Sequence, residues 1–100
     1  MDRAAYVDKM EARLRQWDAE IRRVEGEADE ATEPERADAQ HHARSLRAQW
    51  NDAMQGLEEI RESPDDAWQE ARSFVEQAMA RMRDGLSARA TRSWSATPRR

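Results

Sequence analysis

From Val7 onward the apolar residues fall at Val7, Met10, Leu14, Trp17, Ile21, Val24, Ala28 and Ala31, in steps that alternate between three and four. This is an a/d heptad series, the pattern of an α-helix packed lengthwise against other helices. Trp17 sits at a d position, while its neighbours Arg15 and Asp18 project from other faces. Periodicity decides what composition leaves open. Charged residues make up 38% of the 100, with 3 Gly and 3 Pro. Such a mix suits either long exposed helices or a disordered chain. An unbroken heptad series selects the helices.

The series breaks at ATEPER, residues 31–36. Thr32 and Glu35 have the spacing of a capping box, and Pro34 between them suits a first helical turn. A second seam follows at Ala39, Ala43, Leu46, Trp50, Ala53, Leu57 and Ile60. The same punctuation recurs at ESPDD, residues 62–66. There Ser63 reads as an N-cap, Pro64 as the first helical residue, and Asp65 and Asp66 as acids at the positive helix end. A third stripe runs through Trp68, Ala71, Val75, Ala78 or Met79, Met82 and Leu86, widened by Phe74. Gly85 either ends this helix or weakens it.

These signals predict helices over about 2–31, 33–61 and 64–88, in one domain spanning 1–90, followed by a basic Ser/Thr/Arg tail at 91–100. Short connections make successive helices antiparallel. The expected fold class is all-α: an up-down-up three-helix antiparallel coiled-coil bundle, or a long hairpin that dimerises with the third helix swung away. In the bundle, Trp17 lies level with Trp50 and Ala78, Leu14 with Ala53 and Val75, and Val7 with Ile60 and Trp68. The expected core is Leu14, Trp17, Ile21, Leu46, Trp50, Leu57, Trp68, Val75 and Met82. Truncating a buried Trp17 or Trp50 to Ala would cost about 3–5 kcal/mol.

Of the 38 hydrophobic residues 18 are Ala, which leaves a thin supply of bulky side chains. Stability therefore rests on narrow seams or on association. There is no Cys, hence no disulfide, thiolate nucleophile or thiolate metal site. No apolar run approaches a membrane span. The opening MDRAAYVDKM carries acids and lacks an apolar signal core. The expected setting is the cytoplasm.

The residues offer little catalytic chemistry. His41 and His42 are adjacent, so on a helix they diverge by about 100° and do not chelate one ion together. The acids avoid the seam positions, and no Glu-x-x-His of the di-iron type occurs. No phosphate loop or nucleophile elbow is present. The expectation is no enzyme, no cofactor, no metal and no small-molecule substrate.

Charge is uneven. Residues 1–70 carry 10 basic and 19 acidic side chains, whereas residues 71–100 carry 7 and 2. If any part of the chain meets a partner, the third helix and tail are the choice. Phe74, Met79 and Leu86 supply the apolar part of that surface, and Arg81, Arg83, Arg89 and Arg92 the cationic part. Trp94 lies in the tail beyond the last periodic residue. The leading expectation is a non-catalytic interaction protein, either self-associating or an accessory subunit docked on a larger protein. A surface-coating protein, which like a phasin covers lipid or granules through the third helix, is the less favoured alternative. A weak nucleic-acid binder using the tail ranks below it, because the acidic body opposes it.

The stretches YVDKMEARLRQWDAEI and SPDDAWQEARSFVEQAMARM resemble a group of small bacterial coiled-coil proteins described as stress-response or hypothetical proteins. Leu14, Trp17 and Ile21 match the first-helix pattern of that group, and Asp66, Ala67 and Trp68 match the opening of its third helix. The group usually has Lys where this chain has Arg, and its third helix often ends near an aromatic, a place Trp94 would take. The resemblance covers about residues 5–90. It implies a cytoplasmic helical protein with no assigned catalytic residue or cofactor, and a stress-related setting.

Overall fold

The computed structural model describes residues 2–92, with side chains through Ala88. Within them the chain forms three helices, α1 (Arg3–Glu30), α2 (Glu35–Glu62) and α3 (Trp68–Arg92). They stack into a rod of 56 × 19 × 17 Å. The chain is all-α, with α2 antiparallel to both neighbours and α1 parallel to α3. The third helix does not swing away: α2 packs closely along both α1 and α3, whereas α1 and α3 touch at few points.

Helix α1 begins where Asp2 accepts a hydrogen bond from the Ala5 N–H at 2.7 Å, filling one orphan donor of the first turn. Its seam is buried as the heptads require, from Val7, Met10 and Leu14 through Ile21, Val24 and Ala28. On α2 the buried set is Ala39, Ala43, Leu46, Ala53, Gly56, Leu57 and Ile60. On α3 it includes Trp68, Val75, Ala78, Met79 and Met82.

Both connections differ from expectation. The capping box at Thr32 and Glu35 does not form, because α2 starts at Glu35 itself, with Pro34 at the cap position and no side-chain cap. Instead the Arg36 N–H donates to the Thr32 carbonyl at 3.1 Å, and Arg36 Nε donates to the Ala31 carbonyl at 2.9 Å. Ser63 does not open the third helix; it closes the second. Its Oγ donates to the Glu59 carbonyl at 2.7 Å, and its N–H to the Ile60 carbonyl at 3.2 Å. Residues 64–67 are then spent on a turn held by the Ala67 N–H on the Pro64 carbonyl, so α3 starts at Trp68 rather than at 64.

That later start shifts the register. Val75 was expected level with Ala53 but lies against Gly56, and Gly85 lies against Leu46. The slip is close to one helical turn. It brings glycine to two points where α2 and α3 approach: a Cβ on Gly56 would fall 2.5 Å from Val75 Cγ2, and one on Gly85 2.8 Å from Leu46 Cδ2. Gly85 therefore neither ends α3 nor only weakens it; the helix runs on through Arg92, into the segment expected to be tail.

Trp17 and Trp50 are half-buried and pack against the core from its edge, unlike the other seven expected core residues, which are buried. The indole has a physical reason to stay at the edge at Trp50, whose Nε1 donates to the Leu14 carbonyl at 2.8 Å across the α1–α2 seam. Tyr6, outside the heptad seam, is buried instead, 2% exposed, against Trp68 with ring centroids 5.5 Å apart.

Candidate functional site

Two sides of the rod differ in how they are closed. The α1–α2 side is laced by ions. Arg47 reaches across from α2 to Asp18 at 2.8 Å and to both oxygens of Glu25 at 3.1 and 3.2 Å, and Arg22 adds a second contact to Asp18 at 3.1 Å. The hydrogen bond from Arg47 holds the Asp18 carboxyl below the ordinary carboxylate range. Further along, Arg61 pairs with both Glu11 and Glu58, and Arg3 bonds the Ser63 carbonyl and pairs with Asp65 at 2.9 Å. Asp65 is 92% exposed, so that last pair contributes little.

The α1–α3 side is closed at one end and open beyond it. At the closed end, Tyr6 of α1 packs on Trp68 of α3 with the rings tilted by 42°, and the Arg72 guanidinium lies over both rings at 5.1 and 5.8 Å. Arg72 also donates to Glu76 at 2.9 Å, and the Tyr6 hydroxyl donates to the same carboxylate at 3.3 Å. Burial first, then the adjacent Glu76 charge and hydrogen bond, push the Tyr6 phenol up to about 12. At neutral pH the hydroxyl is a fixed donor and the cluster is a clasp.

From the clasp onward, with Tyr6 and Arg72 at its end, the sparsely touching α1 and α3 leave a groove of about 510 Å³. Its floor is Met10 and Met79 of the core, half-buried Trp17, and Ala80. Its rim is cationic: Lys9 and Arg13 from α1, Arg72 and Arg83 from α3, against the single carboxylate of Glu76. Arg72 is engaged by Glu76, and Arg83 lies 3.6 Å from Asp84. Lys9 and Arg13 are exposed and have no carboxylate partner among the described residues. An apolar floor under a positive rim is equipped to bind, with Trp17 supplying broad contact area at low entropic cost. Among the described residues no group of three His, Cys, Asp or Glu is placed to hold a metal ion.

The partner surface expected from sequence is only partly assembled. Arg83 stands on the groove rim. Met79 is not a free surface residue: it lies on the buried stripe of α3 with Val75 and Met82 and forms part of the floor. Phe74 is 48% exposed, but it lies on the other flank of α3, beside Gly56 of α2. Arg81 is exposed away from the groove, and Leu86 is partly buried against the core. Arg89 and Arg92 lie in the last turns of α3, with side chains outside the described residues, and Trp94 lies outside them altogether. Sequence reasoning missed Lys9, Arg13 and Tyr6. The signal for them was available: in an up-down-up bundle α1 and α3 are parallel, so cations near the start of each meet on one face.

Comparison of the chain with protein-family models, with curated proteins and with solved structures finds no match. Among the described residues no helix is long and apolar enough to cross a membrane.

Proposed function

We propose that this chain is a non-catalytic interaction protein, an accessory subunit that docks a protein partner in its α1–α3 groove. The observation that carries this reading is the unfilled third side of the bundle. In a closed three-helix bundle each helix packs on both others, yet here α1 and α3 part over Met10, Trp17, Met79 and Ala80 and leave a half-buried indole lining the gap. An interaction surface of this kind has an aromatic anchor at its centre and charged groups at its edge. A groove between two parallel helices is a surface along which a partner helix can lie. The absence of Cys suits a reducing cytoplasm, and the resemblance to small coiled-coil stress-response proteins supports a stress-related setting.

Coating of a lipid or granule surface by α3 has less support. Trp68, Val75, Met79 and Met82 are committed to the core, which leaves Phe74 as the one exposed large apolar residue among the described ones. A surface-lying helix needs a wide apolar face.

The test is affinity purification of the full chain beside an Ala80→Trp variant whose indole fills the groove. A stoichiometric protein recovered with the first and lost with the second, at unchanged melting temperature, is the expected result. Equal recovery by both would remove the groove from the account. Recovery of the chain alone would leave self-association in its place.

A further inference from the structure

The reading of the groove as a docking site extends to what docks there, and the charges around it choose. We infer that the groove takes an acidic amphipathic helix from a different protein, which sets apolar anchors on Trp17, Met10 and Met79 and carboxylates against Lys9 and Arg13. This inference rests on the groove being a docking site.

The rim is the first argument. The chain as a whole is acidic, with a net charge of −4, yet four cations and a single carboxylate line this groove. Lys9 and Arg13, one turn apart on the α1 side of the groove, hold none among the described residues, and Arg83 faces them from α3 with only a 3.6 Å contact to Asp84. Unmatched like charges lining one apolar cleft are unfavourable in isolation and become favourable against an anionic partner.

The second argument eliminates occupants from this chain. A second copy packed groove to groove about a two-fold axis would set one cationic rim against another. Among the described residues a second copy offers no other apolar stripe, since those of α1, α2 and α3 are consumed inside the bundle and Phe74 is the one large apolar side chain left exposed. The segment 93–100 carries Arg99, Arg100 and no acid, so its charge has the sign of the rim.

The third argument is size. From Arg72 to Arg83 the groove runs roughly 16 Å along α3, at 1.5 Å per residue, which matches about three turns of a partner helix. Contact over that length is small for a permanent interface and suits a regulated, salt-sensitive one.

Site-specific photocrosslinking tests this directly. The full chain carries benzoylphenylalanine at position 80, or at position 9 if the first variant does not fold, and is irradiated in its native cells. The crosslinked peptide is then sequenced. The expected adduct is a peptide from another protein with net negative charge and apolar residues at helical spacing. Its yield falls about tenfold when Arg13 and Arg83 are replaced by Glu, and is kept when both are replaced by Lys. An adduct to a neutral or basic peptide, or to this same chain, overturns the acidic-helix inference and leaves the groove a docking site. Label recovered on lipid, or no adduct from either position, overturns both.

Discussion

The two glycines between α2 and α3 give the sharpest quantitative test of the packing. Gly26 serves as the control, since a Cβ there meets nothing within 4 Å. Replacing glycine by alanine inside a helix gains about 1 kcal/mol from backbone entropy alone. Gly26→Ala should show that whole gain, as a rise in melting temperature of about 4–8 °C for a domain of this size. Gly56→Ala has the same gain, but its Cβ falls 2.5 Å from Val75 Cγ2 and 3.2 Å from Phe74 Cδ2. Val75 is fully buried and β-branched, so it has no alternative rotamer to retreat into. Overpacking of this kind costs about 2 kcal/mol. The net expectation is a loss of about 1 kcal/mol for Gly56→Ala, on the overpacking cost less the helical gain. Gly85→Ala lies between the two, because Leu46 Cδ2, 2.8 Å from its Cβ, is the far end of a flexible side chain. Urea titrations followed by circular dichroism measure all three variants, with the slope as a check that the unfolded state is unchanged. If Gly56→Ala is as stabilising as Gly26→Ala, then α2 and α3 do not approach at Gly56 and the register is wrong.

Other outcomes follow from single contacts. Trp50→Phe keeps the packing but removes the 2.8 Å hydrogen bond to the Leu14 carbonyl, and should cost about 1 kcal/mol by thermal melting; no change would mean that bond is absent in solution. Trp17→Ala should cost less than Leu57→Ala, since Trp17 is half-buried and Leu57 fully buried; the reverse order would close the groove. A double-mutant cycle of Asp18→Asn with Arg47→Met should give a coupling of about 1 kcal/mol at neutral pH. Because the folded Asp18 carboxyl titrates below its unfolded value, that coupling is present above the unfolded carboxylate range and disappears as pH falls through the lowered one; a coupling that persists in strong acid contradicts the pairing. Tyr6 is the only tyrosine, so phenolate absorbance reports it alone, with a midpoint near 12 in the folded chain. The folded state holds that proton more tightly than the unfolded one, so stability falls as pH rises from about 10 toward that midpoint; an ordinary midpoint in a folded chain would dissolve the clasp with Glu76.

The helices were legible because heptad spacing depends on the chain alone. Val7 to Ala28 on α1 and Ala39 to Ile60 on α2 needed nothing beyond the alternation of three and four. The caps were less legible, since a hydroxyl near a proline serves two helices equally well. Ser63 has the chemistry to open α3 and the chemistry to close α2, and what decides is its Oγ on the Glu59 carbonyl. From that one choice come four residues of turn, the displaced start of α3 and the slip by a turn. Trp17 and Trp50 were read as core because a d position buries a side chain when a partner helix covers it. Each instead stands at the edge of a seam, and for Trp17 that edge is the groove.

The groove itself was hidden by the way charge was counted. Summed along the chain, the first seventy residues are strongly acidic and the last thirty basic, which points every expectation of a cationic surface at the third helix and tail. Folding reorders the sum. Because α2 reverses the chain twice, α1 and α3 run side by side in the same direction, and Lys9 and Arg13 of the acidic part join Arg72 and Arg83 of the basic part on one cleft. Three acids of the acidic part, Glu11, Asp18 and Glu25, face α2 instead, where Arg47 and Arg61 pair with them. A helix bundle sorts its charges by face rather than by position, so the sign of a binding surface follows from the register between helices. Register was the one quantity that turned here on a single hydroxyl.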